Sequence, residues 1–210
     1  MPKRMQSKRI LDTMGFKKIL EMKTEYSILG FTKEPEEYFR WITRHKRRKI
    51  GGKRIYVWTD GSCPENGKKK AAEGGIGVFF GLGDKRNVSD PVVEDNLTNI
   101  RAELWAIHKA LEVLLEEESQ TVELVTDSEF SIRALTCAYK TKMNLDIFEE
   151  IVGKLERMRK KGFQIVFRHQ KGHKKKPEDP GEYFYWYGNN WADSLAGIGT
   201  FICKELVREN

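Results

Sequence analysis

The sequence predicts an α/β domain, a mixed β-sheet with helices on its faces, carried behind a basic N-terminal extension. Two observations predict it. Strand-type windows come first and then alternate with helix-type windows, and positive charge is concentrated in the first quarter of the chain. Residues 1–53 hold 15 Lys and Arg against 6 Asp and Glu, a balance of +9, whereas residues 54–210 balance at −2. An arm of that charge suits a polyanion, most commonly nucleic acid, although a solvated basic leader accounts for the same numbers.

The extension, residues 1–52, contains a weakly amphipathic stretch and a short helix-type segment, Glu36-Glu37-Tyr38-Phe39-Arg40-Trp41-Ile42. After it come His45-Lys46-Arg47-Arg48-Lys49 and then Gly51-Gly52, a charge run followed by a flexible pair, which puts the domain boundary near residue 52. In the domain, residues 53–210, the apolar run Ile55-Tyr56-Val57-Trp58 predicts a buried strand over 54–59, with Asp60-Gly61 as the turn that ends it. Strands at 74–82 and about 86–94 form a hairpin marked by Gly81-Leu82-Gly83-Asp84. Leu104, Ile107, Leu111, Leu114 and Leu115 recur at helical spacing and predict a helix from about 100 to 117. A strand at 121–126, helices near 128–139 and 145–160, a strand at 163–168 and a last helix from about 190 to 207 complete the pattern.

Several classes are excluded or disfavoured. No stretch approaches the roughly 18 consecutive apolar residues of a membrane span, and no short apolar segment with a cleavage site opens the chain. The three cysteines, Cys63, Cys137 and Cys203, are odd in number and lack the close paired spacing of a zinc site, so free thiols are expected. The expectation is a soluble intracellular monomer, nuclear or cytoplasmic, with a mitochondrial location as the alternative reading of the basic start. No membrane contact is expected and no protein partner is inferable.

The carboxylates carry the chemistry. Val122-Glu123-Leu124-Val125-Thr126 ends in Thr-Asp at Asp127, as the first strand ends in Thr59-Asp60. Two such strands lying parallel place both carboxylates at the carboxyl edge of one sheet, where open α/β sheets bind ligands. Glu103, in the first turn of the long helix, and Asp193, opening the last one, are each explained by helix-terminus electrostatics when taken alone. As a set of four, they repel one another unless a cation neutralises them, and oxygen ligands suit a hard ion such as Mg²⁺ or Mn²⁺. Two such ions about 4 Å apart serve phosphoryl displacement, so the acidic site and the basic arm share one explanation, a phosphodiester substrate.

Five blocks, in order, carry a resemblance: Thr59-Asp60-Gly61-Ser62-Cys63, Thr98-Asn99-Ile100-Arg101-Ala102-Glu103-Leu104, Thr126-Asp127-Ser128, Lys171-Gly172-His173, and Gly188-Asn189-Asn190-Trp191-Ala192-Asp193-Ser194-Leu195-Ala196. Over residues 53–205 the chain resembles a type 1 ribonuclease H, the endonuclease that cuts the RNA strand of an RNA-DNA hybrid. The resemblance implies a five-stranded mixed sheet with helices on both faces. It implies two Mg²⁺ ions, with Mn²⁺ as the substitute, held by Asp60, Glu103, Asp127 and Asp193, and products with 5′-phosphate and 3′-hydroxyl ends. His173 takes the role of the mobile histidine, which moves protons or helps release product. The groove contacts it implies fall on Gly61, Ser62, Cys63, Asn66, Thr98, Asn99 and Ser128, with Asn189 supporting the last loop. His169 is expected to have a structural hydrogen-bonding role.

The chain departs from the family pattern in four places. Ile100 stands where Asn or Gln is common, Cys137 where the phosphate pocket has Asn, and the protrusion between the middle helices shrinks to Tyr139-Lys140-Thr141-Lys142-Met143. An insertion at 174–187 combines lysines with five adjacent aromatics, which either clamp nucleic acid or fold onto their own domain. Two other functions stay open on sequence: a non-catalytic nucleic-acid binder on the same fold, and a related nuclease acting on DNA.

Overall fold

The computed structural model describes residues 54–66, 72–118, 120–136 and 143–208. The readings made for the extension, for Lys68-Lys69-Lys70, for Cys137 and for most of Tyr139–Met143 fall outside these residues. The chain runs β1 (Arg54–Ser62), β2 (Ala72–Phe79), β3 (Val88–Glu94), α1 (Asn99–Leu114), β4 (Thr121–Thr126), α2 (Glu129–Leu135), α3 (Leu145–Lys160), β5 (Gln164–His169) and α4 (Pro180–Arg208). The sheet order is β3-β2-β1-β4-β5. β1 and β3 run antiparallel to β2, and β4 runs parallel to both β1 and β5, so the sheet is the expected five-stranded mixed one.

Strand alternation divides the apolar residues between two faces. On one face Val57, Val122 and Leu124 pack against Leu104, Ile107 and Leu111 of α1 and Ile151 of α3. Each aliphatic side chain so buried contributes about 1.5–3 kcal/mol. The other face is aromatic: Trp58 and Phe79 of the sheet meet Tyr185, Tyr187 and Trp191 of α4. Phe79 and Trp191 stack with centroids 5.6 Å apart.

Three boundaries differ from the sequence reading, each for a physical reason. β1 does not turn at Asp60-Gly61. Its ladder with β2 continues, with Asp60 opposite Gly77 and Gly61 opposite Ile76, because the paired strand still offers partners. Glu103 is not in the first turn of α1, which has no acidic residue; Thr98 caps the helix by accepting from the Arg101 amide at 3.2 Å, and Glu103 follows one turn later. The last helix starts at Pro180, ten residues early, so Asp193 lies mid-helix rather than opening it. Asp179 supplies the cap, accepting from the Glu182 amide at 2.8 Å, and Pro180 takes the first helical position, where its missing N–H costs nothing. The early turns of α4 therefore fold the inserted aromatics onto their own domain, the second of the two readings offered for them.

Candidate active site

The site lies at the carboxyl edge of β1 and β4, where the parallel register pairs Thr59 with Thr126 and so brings the following Asp60 and Asp127 side by side. Two glycines bring the helices in. A Cβ on Gly61 would sit 2.2 Å from the backbone at Ala102 and Glu103, so α1 reaches the sheet only because Gly61 has none. On the other face a Cβ on Gly77 would lie 2.0 Å from the Ala192 carbonyl oxygen, which allows α4 to lie against the strand next to Asp193. The sequence reading treated Gly77 only as part of a hairpin. The signal available was Gly75 and Gly77 at period two within a strand, a pattern that marks close backbone approach on one face.

Oxygens of Asp60, Glu103 and Asp127 lie within 4.8 Å of one another. Asp60 is 6% exposed and Glu103 9%. Glu103 is the middle member, hydrogen-bonded to both Asp60 and Asp127, with the Thr126 hydroxyl donating to it at 3.5 Å. Burial first, and then repulsion from Asp127 and Asp193, pushes the Asp60 carboxyl well above the usual range. Glu103 is pushed up by burial and by Asp60 and Asp127. Asp127 is also raised, chiefly by burial, against opposing help from Glu103, His173 and His169. Asp193 is exposed and stands outside the group of three, though its charge reaches both Asp60 and Asp127.

This donor set fits a hard divalent cation. Carboxylates in hydrogen-bonding contact must share a proton when nothing else lies between them, and a cation takes over that role at neutral pH. Among the described residues no Lys or Arg pairs with Asp60, Glu103 or Asp127.

Around the cluster the remaining candidates fall into place by backbone geometry. Gly172 packs on Asp127, where a Cβ would come within 2.3 Å of a carboxylate oxygen, and His173 follows in a left-handed conformation at φ 52°. His169 has the structural role expected of it, its Nε2 lying 3.0 Å from the Asp127 carbonyl. The turn after β1 is stitched to the start of α1. The Asn99 amide donates to the Asn66 side chain at 3.2 Å, and the Cys63 thiol lies 3.4 Å from the Leu97 carbonyl. Asn66 and Asn99 are exposed and Gly61, Ser62 and Thr98 half-exposed, whereas the Cys63 side chain is buried and can offer only backbone. Ser128 caps α2, accepting from the Ser131 amide at 3.3 Å. Asn189 is buried in α4, and its side-chain oxygen has no partner among the described residues. Ile100 packs against the main core, which accounts for its departure from the family's polar residue.

The sequence reading missed one further group. Glu123 is buried on the aromatic face, accepting from the Tyr185 hydroxyl at 2.9 Å and paired with Arg54 at 3.5 Å and Arg168 at 3.7 Å. The Arg168 guanidinium lies over the Tyr185 ring, 3.3 Å from its centroid. A charged residue in a run otherwise apolar, Val122-Glu123-Leu124, was the available signal.

The family model for RNase H matches residues 52–200. The chain belongs to the type 1 RNase H family. Among curated RNase H relatives, it is 32% identical to Ribonuclease H1 of Homo sapiens over 156 residues, covering 70% of this chain and 50% of that protein. It is 44% identical to Ribonuclease H of Schizosaccharomyces pombe over 92 residues, 44% of this chain and 33% of that one. The chain thus spans half or less of the length of these two relatives. Among solved RNase H structures, LC9-RNase H1, described as a type 1 RNase H with the type 2 active-site motif, aligns at TM-score 0.54 and 20% identity, covering 74% of this chain and 76% of that one. LC11-RNase H1, isolated from compost, aligns at TM-score 0.51 and 23% identity over 71% and 96%. These likenesses establish the fold.

Proposed function

We propose that this chain is an endonuclease that hydrolyses the RNA strand of RNA-DNA hybrids. The observation that carries the proposal is the convergence of Asp60, Glu103 and Asp127 within 4.8 Å, with no Lys or Arg paired to them among the described residues. Such a cluster repels a phosphate backbone, so it is useless to a pure nucleic-acid binder and useful to a metal-dependent phosphodiesterase. Homology to Ribonuclease H1 of Homo sapiens supports the hybrid as substrate.

Asp60, Glu103 and Asp127 would hold one Mg²⁺, and Asp193 with Asp60 would hold a second, with Mn²⁺ as the substitute. Bound there, such ions would supply an activated water and stabilise the charge that develops on the phosphate. The water oxygen bonds to phosphorus as the bond to the ribose 3′ oxygen breaks, leaving a 5′-phosphate and a 3′-hydroxyl. His173, exposed at the cluster's rim, carries the proton released from the water or passes one to the departing oxygen. Asn66, Asn99 and Ser62 read the minor groove, where 2′-hydroxyls distinguish RNA from DNA. The basic extension adds affinity for the polyanion, and the protein works inside the cell wherever hybrids form.

The test is cleavage of an end-labelled hybrid by the full chain in Mg²⁺ or Mn²⁺, with duplex DNA, duplex RNA and Asp60→Asn alongside. Cutting of the RNA strand alone, lost in Asp60→Asn, is expected. Absence of hybrid cleavage by the wild type with either metal would overturn the proposal.

A further inference from the structure

The three turns that α4 gains before residue 190 do more than bury aromatics, because they also fix the loop that leaves the active site. The Trp186 indole N–H donates to the Lys174 carbonyl at 2.8 Å. Tyr183 stacks on Trp186 with centroids 5.6 Å apart, and the Lys176 ammonium lies 5.1 Å from the Tyr183 ring centroid. The Tyr183 amide donates to the Asp179 carbonyl at 2.8 Å. The buried Tyr185 anchors this part of the helix through Glu123. At its other end the loop begins at Gly172, which packs on Asp127.

The loop so held presents Lys174 and Lys175 to solvent, and neither has an ion-pair partner among the described residues. A merely solvated lysine run gains nothing from being fixed at Lys174, Lys176 and Asp179, whereas a binding element gains by losing less entropy on contact. The aromatics are occupied, with Tyr183 and Trp186 stacked on each other, so they are poorly placed to take bases. That leaves charge as the recognising chemistry, beside a site read as acting on a phosphodiester.

We propose that the loop after His173 is a phosphate grip, in which Lys174 and Lys175 contact the sugar-phosphate backbone of the nucleic acid lying in the active site. The inference rests on the hybrid-nuclease reading for its ligand. It offers substrate contacts in a chain whose sequence at 139–143 is shorter than the family's basic segment there. Trp186 holds the grip and does not itself touch substrate.

The experiment measures binding of a fluorescein-labelled 20-base-pair RNA-DNA hybrid by anisotropy, over a range of NaCl, with the full chain in the Asp60→Asn background. Each lysine-phosphate contact contributes about 0.9 to the slope of log affinity against log salt. Lys174→Gln with Lys175→Gln is expected to reduce the slope by about 1.8 and to weaken binding by one to two orders of magnitude at about 0.1 M salt. Lys85→Gln with Lys160→Gln removes the same charge elsewhere on the surface and is expected to leave the slope unchanged. Trp186→Phe removes the indole N–H together with the five-membered half of the indole, keeps an aromatic six-membered ring, and is expected to weaken binding in the same direction as the lysine pair. An unchanged slope in the loop variant, or an equal fall in the control pair, overturns the grip. Because wild-type hybrid cleavage is measured separately, a failed grip leaves the nuclease reading standing, and a wild type that cuts nothing sinks that reading by itself.

Discussion

Gly77 sits directly across the β1–β2 ladder from Asp60, and the side chain it lacks is what allows α4 to lie against the strand at Ala192. Gly77→Ala forces a methyl into the Ala192 carbonyl, an overpacking that typically costs about 1–3 kcal/mol. The expected result is a lower urea midpoint together with a loss of hybrid cleavage, measured well below the melting temperature, that exceeds the loss of folded protein. Cleavage that falls only in step with the folded fraction would show that the helix position does not matter to the site.

The raised carboxyls set the pH dependence of the metal-free protein. A carboxyl held above its ordinary value binds its proton more tightly folded than unfolded, so its contribution to stability is present below the unfolded value of about 4 and is lost as pH rises through the folded one. Burial and mutual repulsion raise Asp60, Glu103 and Asp127 alike. In EDTA, the melting temperature of the wild type relative to Asp60→Asn should therefore decline as pH climbs from about 4 into the neutral range. A difference that stays flat with pH would rule this out.

Mg²⁺ should reverse that decline. A ligand that binds the folded state alone stabilises it by about 2.7 kcal/mol at a hundredfold excess over its dissociation constant. Thermal melts at neutral pH with increasing MgCl₂ should shift upward for the wild type and much less for Asp60→Asn. Equal shifts in both would place the metal effect elsewhere.

Tyr185→Phe removes the hydroxyl that donates to Glu123, leaving that buried carboxylate with its two arginines. Hydrogen bonds to charged groups are worth about 1.5–3 kcal/mol. Chemical denaturation should report a loss in that range, with the ring packing preserved. The phenol itself is pushed above its usual value by burial and by Glu123, so tyrosinate absorbance from Tyr185 should be missing from an alkaline titration of the folded protein.

Thr98→Ala deletes the cap of α1, accepted from the Arg101 amide, at a cost of about 1 kcal/mol. Thr98→Ser should recover most of it in the same denaturation assay. Failure of serine to restore stability would assign the effect to the lost methyl instead of the cap.

The two central strands were legible because they are largely buried and therefore read as near-continuous apolar runs, as β4 does from Val122 to Val125 with Glu123 the one interruption. The paired Thr-Asp ends located the carboxylates for the same reason. What was not legible depended on contacts distant in sequence. Asp60-Gly61 has the composition of a turn, and only the opposing Gly77 and Ile76 show that the ladder continues. The early start of α4 was signalled by Asp179-Pro180, but a cap followed by consecutive aromatics lacks the polar face that marks an amphipathic helix. The Glu123 network needed Arg168, Tyr185 and Arg54 to be seen together, and no periodicity joins them.

The length of α4 has a kinetic consequence. Asp60 and Asp193 are contributed by the first strand and the last helix of the described domain, and Gly77 against Ala192 is among its most sequence-distant contacts. Contacts that close such long loops form late, since the chain must lose that freedom before the pairing rewards it. In refolding, secondary structure should therefore recover ahead of the proposed nuclease activity. A chain that has only partly folded would carry the β1–β4 edge without the helix that supplies Asp193, and so would not cut nucleic acid before its fold is complete.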